Sequence, residues 1–252
     1  MLTRSPGLGT VVAAVVLALA GAAGAENEPL LYKKVAVPSA FCREADVDGE
    51  TVRFGGDIRL GELTGAGAPD FVVYRSVEDA HDGGGMKPCF LGAFTMAGEA
   101  LWSVGEGGEQ PSRPGPVAVH DIDGDGRSEV VHFFHVPDIE AKAGSMADVK
   151  VQIRDGATGK LAREAAPEAF RACTGHGPNW VHQRILIANF RGRETPRDFV
   201  VKLGAKVLAF DEQLNVLWQY TSPWTQYGHC PAYIPSVGDL DGDGRSEERR
   251  VG

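Results

Sequence analysis

Short runs of β-branched and aromatic residues, broken by clusters of Gly, Asp and Pro, recur along most of this chain. Phe71-Val-Val-Tyr74, Pro116-Val-Ala-Val-His120, Val130-Val-His-Phe-Phe134 and Phe199-Val-Val-Lys202 each read as a strand. Two longer segments, Phe94-Thr-Met-Ala-Gly-Glu-Ala-Leu-Trp102 and Phe210-Asp-Glu-Gln-Leu-Asn-Val-Leu-Trp218, read as a strand, a short turn and a second strand ending in tryptophan. Val151 to Leu161 reads as a further hairpin, its turn marked by Asp155-Gly156 and Thr158-Gly159. Helical signals are almost absent, and only Ala162 to Ala172 predicts a turn or two of helix.

These elements repeat. The segment Asp121-Ile-Asp-Gly-Asp-Gly-Arg-Ser-Glu129 returns as Asp239-Leu-Asp-Gly-Asp-Gly-Arg-Ser-Glu247, 118 positions later, and the two tryptophan hairpins lie 116 apart. Half of that offset, about 59 residues, locates two degenerate copies. Glu62 to Asp70 keeps the glycines, and Asn189 to Asp198 carries one extra residue. Each unit then reads as strand, loop, strand, strand, turn, strand. Four antiparallel strands per unit of this size predict an all-β fold, a β-propeller of four-stranded antiparallel blades. The 227 residues after position 25 hold about four such blades, so the propeller is expected to be incomplete.

The repeated nine-residue segment is suited to a hard cation. Calcium takes six to eight oxygens at about 2.3–2.6 Å, and glycine permits the tight curl that aims alternate carboxylates inward. The expected ligands are Asp121, Asp123, Asp125 and Glu129 in one loop and Asp239, Asp241, Asp243 and Glu247 in the other. A backbone carbonyl near Arg127 or Arg245 would complete each shell. An EF-hand is excluded, because its last ligand comes at the twelfth place and helices flank it; here the last acid is ninth and a strand follows. The degenerate copies are expected to hold no calcium. Glu62, Thr64, Ala66 and Asp70 offer too few charges, and in the other copy a guanidinium from Arg191 or Arg193 would replace the cation beside Asp198 or Glu194.

On these loops, and on Phe54-Gly-Gly-Asp57 as the opening of a unit, the chain from about Phe41 onward resembles FG-GAP and VCBS-type propeller repeats. More narrowly, it is similar to the propellers of rhamnogalacturonan lyases, through the calcium loops, the tryptophan-ending hairpin and Gly228-His229-Cys-Pro231. The resemblance implies pectic polysaccharides as substrate class, cleaved by β-elimination beside a uronic acid. Quinone-dependent dehydrogenases also use blades ending in tryptophan, but normally without such loops.

Residues 1–25 read as a secretory signal peptide: Arg4, an apolar run from Val11 to Ala20, and Ala23-Gly-Ala25 before the cut. Residues 26–252 are assigned to the partial propeller. At its end, 245–252 lack the apolar strand that follows the first loop and resemble a translated sequencing adapter, so a truncated chain with a non-native tail is expected. Export to the periplasm or outside the cell, with no membrane span after cleavage, agrees with four cysteines, Cys42, Cys89, Cys173 and Cys230. Three pairings are open; Cys42–Cys89 with Cys173–Cys230 is favoured. The net charge of −9 includes eight carboxylates in the two loops, and no basic patch speaks for nucleic acid.

Two segments that enter blades share a pattern, Gly175-His-Gly-Pro178 and Gly228-His-Cys-Pro231. They are expected on the face opposite the calcium loops, with Trp180, Tyr227 and Tyr233 available to stack on sugars. The blander reading is that they only shape turns. The leading function is therefore a secreted, calcium-stabilised module binding a polysaccharide or a cell-surface protein. The alternative is a polysaccharide lyase, with His176 or His229 as base and Arg113 or Lys202 neutralising the uronate.

Overall fold

A computed structural model describes residues 45–47, 50–52, 54–77, 89–104, 117–135, 149–171, 184–203, 206–221 and 236–249, all within one unit, Ala36–Gly252. A short hairpin that the sequence pattern does not predict comes first, β1 (Ala45–Val47) with β2 (Glu50–Val52). Three four-stranded antiparallel meanders follow. Sheet 1 is β3 (Phe54–Gly61), β4 (Asp70–Val77), β5 (Cys89–Phe94) and β6 (Ala100–Val104). Sheet 2 is β7 (Val117–His120), β8 (Glu129–His135), β9 (Val149–Arg154) and β10 (Leu161–Ala165). Sheet 3 is β11 (Arg184–Ala188), β12 (Asp198–Leu203), β13 (Lys206–Phe210) and β14 (Val216–Thr221). A two-stranded sheet, β15 (Ser236–Gly238) and β16 (Glu247–Arg249), comes last.

The all-β expectation and the order of elements within a unit hold. One local expectation holds in part and another does not. The segment read as helical divides into strand β10 and a single turn, α1 (Glu168–Arg171), after Pro167. Strand β9 has an edge to fill, and pairing such as Glu164 with Gln152 outweighs a weak helical propensity. Likewise Glu247–Arg249, polar though it is, pairs with β15 as the fourth repeat of the same loop-and-strand pattern.

Alternation along each strand sends side chains to opposite faces, and that builds two cores. On β8, Val131 and Phe133 pack with Phe199, Val201, Leu208 and Phe210 of sheet 3. Val130, one residue away, joins Val72, Tyr74, Leu91 and Ala93 of sheet 1. Phe170 from α1 closes the first core edge-on to Phe133, with ring centroids 5.9 Å apart. The two tryptophan hairpins share one irregularity, a register shift at Ala93/Phe94 and at Ala209/Phe210. Gly98 and Leu214 both take positive φ in the following turn, at 90° and 64°. Trp102 then donates from Nε1 to the Gly156 carbonyl of sheet 2 at 2.7 Å, which clamps the first sheet onto the second.

Candidate metal centre

Each four-stranded sheet, and the β15–β16 pair, joins its first two strands through the repeated loop, and one hydrogen-bond plan runs through all four copies. The acid at the loop's end receives backbone N–H groups from its start. Glu129 accepts from Ile122 at 2.9 Å and Asp123 at 3.3 Å, Asp70 from Leu63 and Thr64, Asp198 from Arg191, and Glu247 from Leu240. In the two acidic copies the first residue receives N–H groups from the glycines. Asp121 accepts from Gly124 and Gly126 at 2.6 and 3.0 Å, and Asp239 from Gly242 and Gly244 at 2.6 and 2.9 Å. Those glycines have φ between 80° and 91°, a region closed to most side chains.

The curl gathers Asp121, Asp123 and Glu129 in one loop, and Asp239, Asp241 and Glu247 in the other, so that one oxygen from each lies within 4.8 Å of the others. Oxygens bound to a single calcium at about 2.4 Å are at most about 4.8 Å apart, so the donor set suits a hard cation in both spacing and chemistry. Asp125 and Asp243, also expected as ligands, turn elsewhere. Asp125 accepts from Arg127 Nη2 at 2.8 Å and Asp243 from Arg245 Nη2 at 2.6 Å. Those hydrogen bonds hold both carboxyls below the usual range. Glu129 is shifted the other way. It is 6% exposed, and burial pushes its carboxyl up to about 7; the Ile122 and Asp123 N–H bonds oppose this, and the Asp123 and Asp125 charges add to it. A cation would remove that penalty.

The third loop carries its own positive charge. Arg191 donates from Nε to Asp198 at 2.8 Å, its Nη2 lies 2.6 Å from the same carboxylate, and it also pairs with Glu212. Arg193 lies 3.2 Å from Glu212. The guanidinium expected beside Asp198 is thus that of Arg191. In the first loop, Thr64 Oγ1 donates to Asp70 at 2.8 Å.

Of the proposed catalytic residues, His176, His229 and Arg113 lie outside the described residues, as do Trp180, Tyr227, Tyr233, Cys42, Cys173, Cys230 and the segment read as a signal peptide. Lys202 lies on β12 and is 0% exposed. A polar chain on sheet 2, buried at His132 and Gln152, which the sequence pattern did not single out, adds to the picture. Arg154 Nε donates to His132 Nε2 at 3.0 Å and its Nη2 to Gln152 at 2.7 Å, while Gln152 and Lys150 both reach Glu164. Burial and the Arg154 charge push His132 down to about 3. The signal for this chain was polar residues at alternate positions of β9, Lys150, Gln152 and Arg154, with His132 of β8 facing Gln152.

No family model matches the chain, and no curated protein matches it significantly. Among solved structures it is similar to the rhamnogalacturonan lyase YesW, with TM-score 0.62 and 20% identity over 80% of this chain and 40% of that one. It is similar to the rhamnogalacturonan lyase PL11 of Bacillus licheniformis, with TM-score 0.60 and 22% identity over 80% and 40%. It is also similar to the exotype rhamnogalacturonan lyase YesX, with TM-score 0.56 and 19% identity over 87% and 41%. The fold is shared with these lyases. The chain spans about two fifths of their length. Among the described residues, no helix is long and apolar enough to cross a membrane.

Proposed function

We propose that the chain supplies blades of a calcium-braced β-propeller, exported from the cell, that engages pectic polysaccharide. The overlap of 80% of the chain with rhamnogalacturonan lyases is the observation that carries this reading. Calcium supplies positive charge that joins the ends of each loop. Asp121, Asp123 and Glu129 hold it in one loop, and Asp239, Asp241 and Glu247 in the other. The protein's part is to fix the carboxylates, through the glycine amides, on the strands that enter and leave the loop. Such bracing orders one face of the molecule without calcium taking part in glycan chemistry.

Binding is the first reading and lyase activity the second. The second is favoured by the three similar structures, each of them a rhamnogalacturonan lyase. Elimination requires a base at the proton beside the uronate and a cation to neutralise that uronate; His176 or His229 with Arg113 are the candidates. The test incubates the full chain with rhamnogalacturonan, and with a neutral glucan as control. Retention on the pectic polymer alone supports binding, and ultraviolet absorbance from unsaturated uronate adds the lyase. Equal behaviour towards both polymers refutes the pectic assignment. For the metal, calorimetry should give two calcium ions for the wild type and one for Asp123→Ala; unchanged stoichiometry removes the assignment at that loop.

A further inference from the structure

The two acidic loops differ in sequence only at Ile122 and Leu240. Each leans on the loop of the preceding repeat. Ser128 N–H donates to the Glu62 carbonyl at 2.7 Å, and Ser246 N–H to the Asn189 carbonyl at 3.0 Å. The loop at 121–129 is also gripped from the following repeat. Arg197 Nη1 donates to the Asp123 carbonyl at 2.8 Å, and His120 Nε2 lies 2.9 Å from the Pro196 carbonyl. The Arg197 guanidinium lies so close over the loop that a Cβ on Gly124 would stand 1.9 Å from its Nη2. Ile122 of this loop is 1% exposed.

We propose that Arg197 is a positioning residue that holds the 121–129 loop in its cation-ready shape and thereby tightens calcium binding there. This rests on the calcium reading above. Its hydrogen bond fixes the peptide carrying Asp123, the residue between two ligands of the same cluster. A cation entering that loop then orders less backbone than one entering a free loop. The positive charge of Arg197 opposes calcium, but the contact is solvent-exposed and screened, so preorganisation wins. Its hydrogen bond goes to a carbonyl oxygen, which leaves the three carboxylates to the cation.

The test uses the full chain in two backgrounds, Asp241→Ala to silence the second loop and Asp123→Ala to silence the first. Adding Arg197→Ala to the Asp241→Ala protein should raise the calcium dissociation constant about tenfold, in the range found for residues that orient metal ligands. Adding it to the Asp123→Ala protein should change nothing. Hydrogen exchange in a chelator supplies a metal-free readout: Arg197→Ala should speed exchange at Gly124 and Gly126 and leave Gly242 and Gly244 as they were. Unchanged or tighter calcium binding at the first loop, or equal exchange at both loops, overturns the proposal. Absence of calcium binding in either background overturns the calcium reading and the affinity claim with it, while the exchange comparison still decides whether Arg197 holds the loop.

Discussion

Replacing Glu129 by Gln should stabilise the metal-free protein and weaken its response to calcium, two effects of opposite sign from one substitution. The carboxyl is raised from 4.5 to about 7 chiefly by burial. A carboxyl raised in the folded state lends stability below about pH 4.5, and that stability is lost as pH rises through about 7. A shift of this size corresponds to at most about 3.4 kcal/mol at about 1.36 kcal/mol per unit. The loop faces water from Asp123 to Arg127, so screening reduces the figure to about 1.5 kcal/mol. The amide of the Glu129→Gln variant would keep an oxygen for the Ile122 N–H without the charge. At about pH 8 in a chelator, the variant should therefore melt about 3–6 °C above the wild type, at about 2–4 °C per kcal/mol for a chain of this size. Near pH 4.5 the two should coincide. With calcium at about a hundred times the dissociation constant, a site adds about 2.7 kcal/mol, and the variant, short of one charged ligand, should gain less. Scanning calorimetry across pH, with and without calcium, reads all three. Parallel pH profiles in the chelator would refute the burial argument, and equal calcium responses would refute Glu129 as a ligand.

Arg191→Met should cost about 3–5 kcal/mol in urea unfolding, because Asp198 is 0% exposed and would keep an uncompensated charge; a cost below about 1 kcal/mol would show that Arg191 is not its counter-charge. Gly156→Ala would place a Cβ 1.9 Å from the Ser128 carbonyl oxygen. The overpacking should lower stability by about 1–3 kcal/mol, and an unchanged melting temperature would mean that the contact between the hairpin and the loop is looser. His132, pushed down to about 3 by burial and the Arg154 charge, contributes stability present above about pH 6.5 and lost as pH falls through about 3. Its ring resonances should accordingly stay fixed between about pH 8 and pH 5, and a titration near the ordinary histidine value would contradict the buried chain.

The strands of each unit were legible because one face of every strand is apolar and the turns are spelled with Gly and Asp. The repeat was legible because its loop is nearly identical in two places. What the sequence concealed is long-range. Nothing local says that Arg154 meets His132, or that Trp102 ends on the Gly156 carbonyl, since both depend on how one strand or sheet settles against its neighbour. Positions 162–165 depart from the helical reading of Ala162 to Ala172 for a similar reason: the alanines favour helix, and only the open edge of β9 makes a strand of them. Lys202 was legible as a charge but not as a buried one, because its strand, Phe199-Val-Val-Lys202, gives no sign that the face carrying Lys202 is covered.

The four loops together explain why two acidic copies and two substituted ones occupy the same place in the fold. In every copy the closing carboxylate, Asp70, Glu129, Asp198 or Glu247, caps amides at the loop's start. That capping turns the chain from the first strand into the second, so the carboxylate belongs to the fold before it belongs to any ion. Its charge then needs an answer inside a partly buried turn. Thr64 answers with a hydroxyl, and Arg191 with a guanidinium. The Asp121 and Asp239 loops instead add carboxylates, which raises the local charge further and gathers a donor set that could hold a cation from solution. Calcium dependence on this reading belongs to individual repeats rather than to the fold. Chelation should loosen the second and fourth loops and leave the first and third unchanged in hydrogen exchange. Uniform loosening of all four would mean that the carboxylate cap, and not its counter-charge, is the weak element.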